Sequence, residues 1–69
     1  MFNRRLFKAQ VALKGKTMRS VAKELEVDEA TLYRKMSGES DFFRHEIQIL
    51  CKFLDITNPT DIFFANDIA

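Results

Sequence analysis

Residues 17–38 read TMRSVAKELEVDEATLYRKMSG, and the order of residue types within them decides the fold. Thr17 belongs to the class that caps a helix N-terminus, its hydroxyl accepting from a backbone N–H the helix leaves unpaired. Val21, Ala22 and Leu25 follow at the three- and four-residue spacing that gathers apolar side chains on one helical face. Glu26-Val27-Asp28 interrupts that period. Asp28 is a second cap, Leu32 and Met36 repeat at i, i+4 behind it, and Gly38 supplies the stop. Two short helices with so short a connection pack in few ways, and one of them is the helix-turn-helix.

Reading outward toward the N-terminus, Phe2 to Lys14 is expected to form a first helix, with Asn3 as its cap and Gly15 ending it. Phe7 and Val11 are one turn apart and face the core, while Leu6 and Leu13 occupy an adjoining stripe. Toward the C-terminus, a polar loop at Glu39-Ser40-Asp41 and the pair Phe42-Phe43 precede a fourth helix over about Arg44 to Asp55. Its core face is Ile47, Leu50, Cys51 and Leu54, and Ile49, Phe53 and Ile56 form a second apolar edge. Asn58-Pro59 opens a short fifth helix, with Asn as N-cap, Pro at the first helical position and Asp61 in the first turn. Ile62, Phe63 and Phe64 follow, and residues 66–69 are expected to fray. Nothing alternates long enough to require a strand, so the chain reads as one all-α domain, a five-helix bundle over residues 1–69.

Sixty-nine residues, 46% of them hydrophobic and 30% charged, suit one small folded domain rather than a disordered tail. No apolar run reaches membrane-spanning length and no signal peptide opens the sequence, so a cytoplasmic protein is expected. The net charge of +1 hides an asymmetry: residues 1–38 carry nine Lys and Arg against four Asp and Glu, and residues 39–69 carry two against six. A basic half that also holds the two-helix segment suits a polyanion.

Residues 18 to 37 are similar to the helix-turn-helix of phage Cro and repressor proteins, more narrowly to small phage regulators whose motif ends TLxxKxxG. They fill its twenty positions without a gap. Ala22 takes the small-residue place where the helices touch, and Val21, Leu25, Val27, Leu32 and Met36 take the apolar places. In the turn, where the motif has glycine, this chain has Glu26, and a left-handed residue there costs roughly 1–2 kcal/mol. The related sequences read F-T-x-x-E-I before the fourth helix. Phe43 here stands where the Thr would be, which implies that Glu46 is without its capping partner and that the helix starts at Asp41 or with a looser first turn.

The resemblance implies a lambda-repressor-like architecture and a transcriptional regulator of double-stranded DNA, with the helix over about 29–36 in the groove. On that basis Glu29, Ala30, Tyr33 and Arg34 read base edges. Arg34 would take guanine bidentately, Ala30 would meet a thymine methyl and Glu29 would accept from cytosine. Lys14, Lys16, Thr17, Arg19, Lys23, Thr31 and Lys35 would contact phosphates. The ordinary alternative is the solvated face of an amphipathic helix. Glu26, Asp28 and Glu29 cluster where the phosphates would come, and this opens a second reading, a modulator or antirepressor of the same fold that binds a partner repressor protein. The apolar stripe Leu6 and Leu13 is the expected partner surface, for a homodimer or a heteromer with a phage repressor.

No constellation for catalysis stands out. His45 has no nucleophile or metal partner at recognisable spacing, Cys51 cannot form an internal disulfide and sits on an apolar face, and the two glycines make no phosphate-cradling pattern. Asp61 and Asp67 suit capping and tail solubility. A non-enzyme without cofactor, metal or small-molecule substrate is expected.

Overall fold

Asn3 starts α1 (Arg4–Leu13) by accepting the Leu6 backbone N–H on its side-chain oxygen at 3.1 Å. The structure, a computed structural model, describes residues 2–64. Residues 66–69, Asp67 among them, assigned above to a fraying tail, lie outside the described residues. Phe2 stands before the cap rather than on the helix, and its ring packs against Phe7, Phe42 and Phe63 at centroid distances of 5.1, 5.0 and 5.6 Å. Tilted and edge-to-face contacts of this kind bring the positive ring edge to a negative face.

α2 (Met18–Glu24) opens on a reciprocal cap. Thr17 Oγ1 accepts from the Ser20 N–H at 3.0 Å, and Ser20 Oγ accepts from the Thr17 N–H at 2.9 Å. α3 (Glu29–Ser37) opens on Asp28, whose carboxylate accepts from the Thr31 N–H at 2.7 Å. The fourth helix, α4 (Arg44–Phe53), starts neither at Asp41 nor with a loose turn. Phe43 is its N-cap residue and has no acceptor in its side chain, yet Glu46 still takes the Phe43 N–H at 2.8 Å. Half of the reciprocal cap is enough to set the first turn. α5 (Pro59–Phe63) uses Pro59 at its first position as expected, but the Asn58 side chain makes no cap bond to the backbone. Its amide donates to Asp61 Oδ2 at 3.2 Å instead.

The first four helices end on the same device, a left-handed residue followed by an N–H that turns back to a carbonyl of the last turn. Gly15 (φ 67°), Glu26 (φ 59°), Gly38 (φ 92°) and Asp55 (φ 53°) are the left-handed residues. The returning bonds run from Lys16 N–H to Val11 O at 3.0 Å, Val27 to Ala22 at 3.0 Å, Glu39 to Arg34 at 3.0 Å and Ile56 to Cys51 at 2.9 Å. Two of these turns are thus made without glycine, Glu26 among them as the sequence implies.

One apolar cluster joins all five helices: Phe7 and Val11 of α1, Val21 and Ala22 of α2, Leu32 and Met36 of α3, Leu50 of α4, Ile62 and Phe63 of α5, with Leu25, Leu54 and Ile56 from the turns. Ile47 and Cys51, read as core, are only half-buried at its edge. α2 packs on α3 and α4, and α5 packs on α1 and α4. The two ends of the bundle are clipped together by the Asn3 N–H, which donates to Ile62 O at 2.6 Å. Gln10 Nε2 of α1 donates to Leu54 O at 2.7 Å, so the end of α4 is held as well.

The strain at Glu26 gives a direct test. Glu26 is exposed and left-handed, so Glu26→Gly removes a Cβ penalty at the cost of a freer unfolded chain and is expected to stabilise by about 1 kcal/mol. Thermal unfolding followed by circular dichroism checks this. A lower melting temperature in the variant would show that the Glu26 side chain contributes more than its backbone conformation costs.

Candidate nucleic-acid interface

α3 has two unlike sides. Leu32, Lys35 and Met36 are buried, and Glu29, Ala30, Tyr33 and Arg34 face solvent. All four residues expected to read bases therefore lie on the exposed side of one helix whose other side is locked into the core. Arg34 does not extend freely: one guanidinium nitrogen donates to Thr31 Oγ1 at 3.3 Å. Thr31 is half-buried and acts as a bridge. Its hydroxyl and its backbone N–H, with a smaller effect from the Arg34 charge, hold the Asp28 carboxyl below the ordinary aspartate range. Thr31 thus serves the helix start, its backbone N–H on Asp28 and its hydroxyl accepting from Arg34.

The expected phosphate contacts divide into two groups. Thr17, Arg19 and Lys23 are exposed at and along α2. Thr17 Oγ1 accepts from Ser20, which leaves its own proton free to donate. Lys16 is exposed just before α2, its ammonium 4.7 Å from the centroid of the Phe53 ring, a contact that steadies the side chain without neutralising it. Lys14, in contrast, pairs with Asp55 at 3.0 Å, so its charge is matched within the molecule.

Lys35 is a correction. The sequence makes it a phosphate contact, and the structure buries it, at 6% exposure. Its ammonium lies 3.1 Å from Glu46 Oε1, donates to Asp41 O at 3.0 Å, and sits 4.3 Å from the centroid of the Phe43 ring. An ammonium has three N–H donors, and here they meet three partners. Glu46, itself 5% exposed, accepts from both Lys35 and the Phe43 N–H. Among the described residues no buried side-chain polar atom is without a partner. This network ties the last turn of α3, the 39–43 loop and the first turn of α4 together. Lys35 therefore positions the exposed face of α3 and does not reach a ligand itself. Its spacing carried a signal: Lys35 stands three residues after Leu32 and beside Met36, on the buried side of the helix.

Leu6 and Leu13 are 41% and 74% exposed, so neither is consumed by the core, and Phe64 at 42% joins them at the surface. Phe63 of α5 and Ile56, expected on the second apolar edge of the fourth helix, are buried. His45 is exposed and stacks on Phe43 at 5.9 Å. Cys51 is half-buried rather than enclosed, and burial raises its thiol pKa, which favours the unreactive protonated form. No group of three or more His, Cys, Asp or Glu among the described residues could hold a metal ion. No helix there is long and apolar enough to cross a membrane. Comparison with known protein families, curated proteins and solved structures finds no match for this chain.

The Lys35–Glu46 network predicts strong coupling. Removing either charge alone strands its partner in the interior, so Lys35→Met and Glu46→Gln are each expected to destabilise markedly. In the double variant the side-chain amide introduced by Glu46→Gln still accepts from the Phe43 N–H, and no lone charge remains. Urea unfolding of the four proteins should give a coupling energy of about 1–3 kcal/mol. Additive losses would mean that the two side chains do not act on one another.

Proposed function

We propose that this chain is a regulator that binds double-stranded DNA in the manner of phage Cro and repressor proteins, with α3 in the major groove. The observation that carries the reading is the two-sided character of α3. Leu32, Lys35 and Met36 fix it in the core, and the outward residues Glu29, Ala30, Tyr33 and Arg34 offer an acceptor, a methyl, a phenol and a guanidinium. Those are groups that distinguish base pairs in the major groove, where Arg pairs with guanine and a methyl packs on thymine. Lys16, Thr17, Arg19 and Lys23 supply exposed donors on the preceding turn and helix, suited to the phosphates that set the register of such a helix.

A second reading rests on charge. Glu26, Asp28 and Glu29 are all exposed at the start of α3, Lys14 is matched by Asp55 and Lys35 by Glu46. The cations left to oppose phosphates are few, which favours a modulator that keeps this fold and acts on a partner repressor. Leu6 and Leu13 are the surface it would use, and a homodimer through the same stripe would serve a two-fold operator.

Two measurements separate these readings. If Lys16, Arg19 and Lys23 each neutralise one phosphate, log K should fall with log salt at a slope of about −3 per chain. An affinity independent of salt would end the DNA reading. Arg34→Ala should relax preference at one base pair and cost about 1–3 kcal/mol, whereas Lys16→Ala weakens all sequences alike. Selection from randomised duplexes with each variant reads this out, and an unchanged motif for Arg34→Ala would remove that residue from base reading.

A further inference from the structure

An open groove of about 820 Å³ runs between α4 and the α5 region, with no residue of α3 in its lining. Its floor is apolar, made by Ile47, Cys51, Pro59 and Phe64. Ile47 and Cys51 stand one turn apart and are half-buried, and Phe64 is 42% exposed. The rim along α4 is polar. Arg44, Gln48 and Lys52, each four residues from the next, are exposed along one edge of the helix.

The charge of this rim goes against its surroundings. Arg44 and Lys52 are the only Lys or Arg after residue 38, in a half of the sequence that is otherwise acidic. Both stand at the groove, and neither makes an ion pair among the described residues. The carboxylate at the groove, Asp55, is already paired with Lys14 at 3.0 Å. Among the described residues, two positive charges remain unmatched, two helical turns apart, about 12 Å along the axis at 1.5 Å per residue.

We infer that this groove receives an amphipathic α-helix of another protein, one carrying two carboxylates seven or eight residues apart beside an apolar stripe. The apolar side chains settle on Ile47, Cys51 and Phe64, and the carboxylates meet Arg44 and Lys52. Helix-in-groove recognition is the mode that combines an apolar floor with charges at helical spacing. A second copy of this chain fits poorly. A two-fold antiparallel contact centred on Gln48 would set Arg44 of each copy against Lys52 of the other, two like-charge pairs at the interface. Nucleic acid would satisfy the rim and leave the apolar floor uncovered. The inference does not depend on the DNA reading, since it uses a different surface and a different ligand.

A display library of fifteen-residue helical peptides, randomised on one face and panned against the full chain without DNA, tests it. The expected winners carry Asp or Glu at i and i+7 or i+8 with Leu, Ile or Phe between. Fluorescence anisotropy of a winning peptide should then show binding weakened at least tenfold by Arg44→Glu with Lys52→Glu, and that variant should prefer the peptide with its acids changed to Lys. Both side chains are exposed, and circular dichroism confirms that the variant is folded; Arg44→Gln with Lys52→Gln gives a milder second variant. Winners without the acidic pair, binding unmoved by the charge reversal, no enrichment over an Ile47→Asp control, or displacement of the peptide by duplex DNA would each overturn it. So would sedimentation of the chain as a dimer that Ile47→Asp dissociates.

Discussion

The exposed face of α3 depends on a buried ion pair. Lys35 and Glu46 are nearly inaccessible to water and 3.1 Å apart. Taking two charges out of water is costly, and such a pair holds only where the remaining donors and acceptors are also satisfied. Here they are: Asp41 O and the Phe43 ring complete the ammonium, and the Phe43 N–H shares the carboxylate. The pair contributes less net stability than geometry. An apolar substitute could fill the space, but it would lack the bonds to Glu46 and Asp41 O that join the last turn of α3 to the 39–43 loop and the first turn of α4. Tyr33 and Arg34 lie within two residues of Lys35 on the same helix.

The same economy appears at the helix ends. In a chain of sixty-nine residues the core is small, and connections must be short for the helices to share it. The repeated left-handed turn at Gly15, Glu26, Gly38 and Asp55 does this. Each turn satisfies carbonyls that would otherwise be orphaned and redirects the chain at once. Glu26 accepts backbone strain to do so, and Asp55 does too while its carboxylate holds Lys14. Electrostatics and turn geometry are therefore coupled: the residue that ends α4 also removes one cation from the basic surface.

Local chemistry is legible in the sequence. Asn3, Thr17 and Asp28 cap the helices they precede, and the three- and four-residue spacing of Val21, Ala22, Leu32 and Met36 identifies the buried faces of α2 and α3. Contacts between residues far apart in the chain are not. Phe2 looks like the start of a helix until Phe42 and Phe63 are brought to it. Glu46 looks unpartnered because the threonine of the motif is missing, yet its carboxylate accepts from the backbone N–H of residue 43, which is independent of residue type. Lys35 reads as surface by charge and as core by position, and only the carboxylate eleven residues later resolves the conflict in favour of position. Of the phosphate contacts expected, Lys16, Thr17, Arg19 and Lys23 remain exposed and, among the described residues, unmatched by a carboxylate. They precede or lie along α2.

The claim that α3 is the reading element is tested most directly by chemical-shift mapping of the isotopically labelled chain against a pool of random-sequence duplex DNA at low salt. Shifts are expected to concentrate in the amides of Ala30, Tyr33 and Arg34 and at Thr17 and Arg19, with the core residues Leu50 and Leu54 unmoved. Shifts confined to α4 and α5, or a spectrum unchanged at saturating DNA, would contradict it.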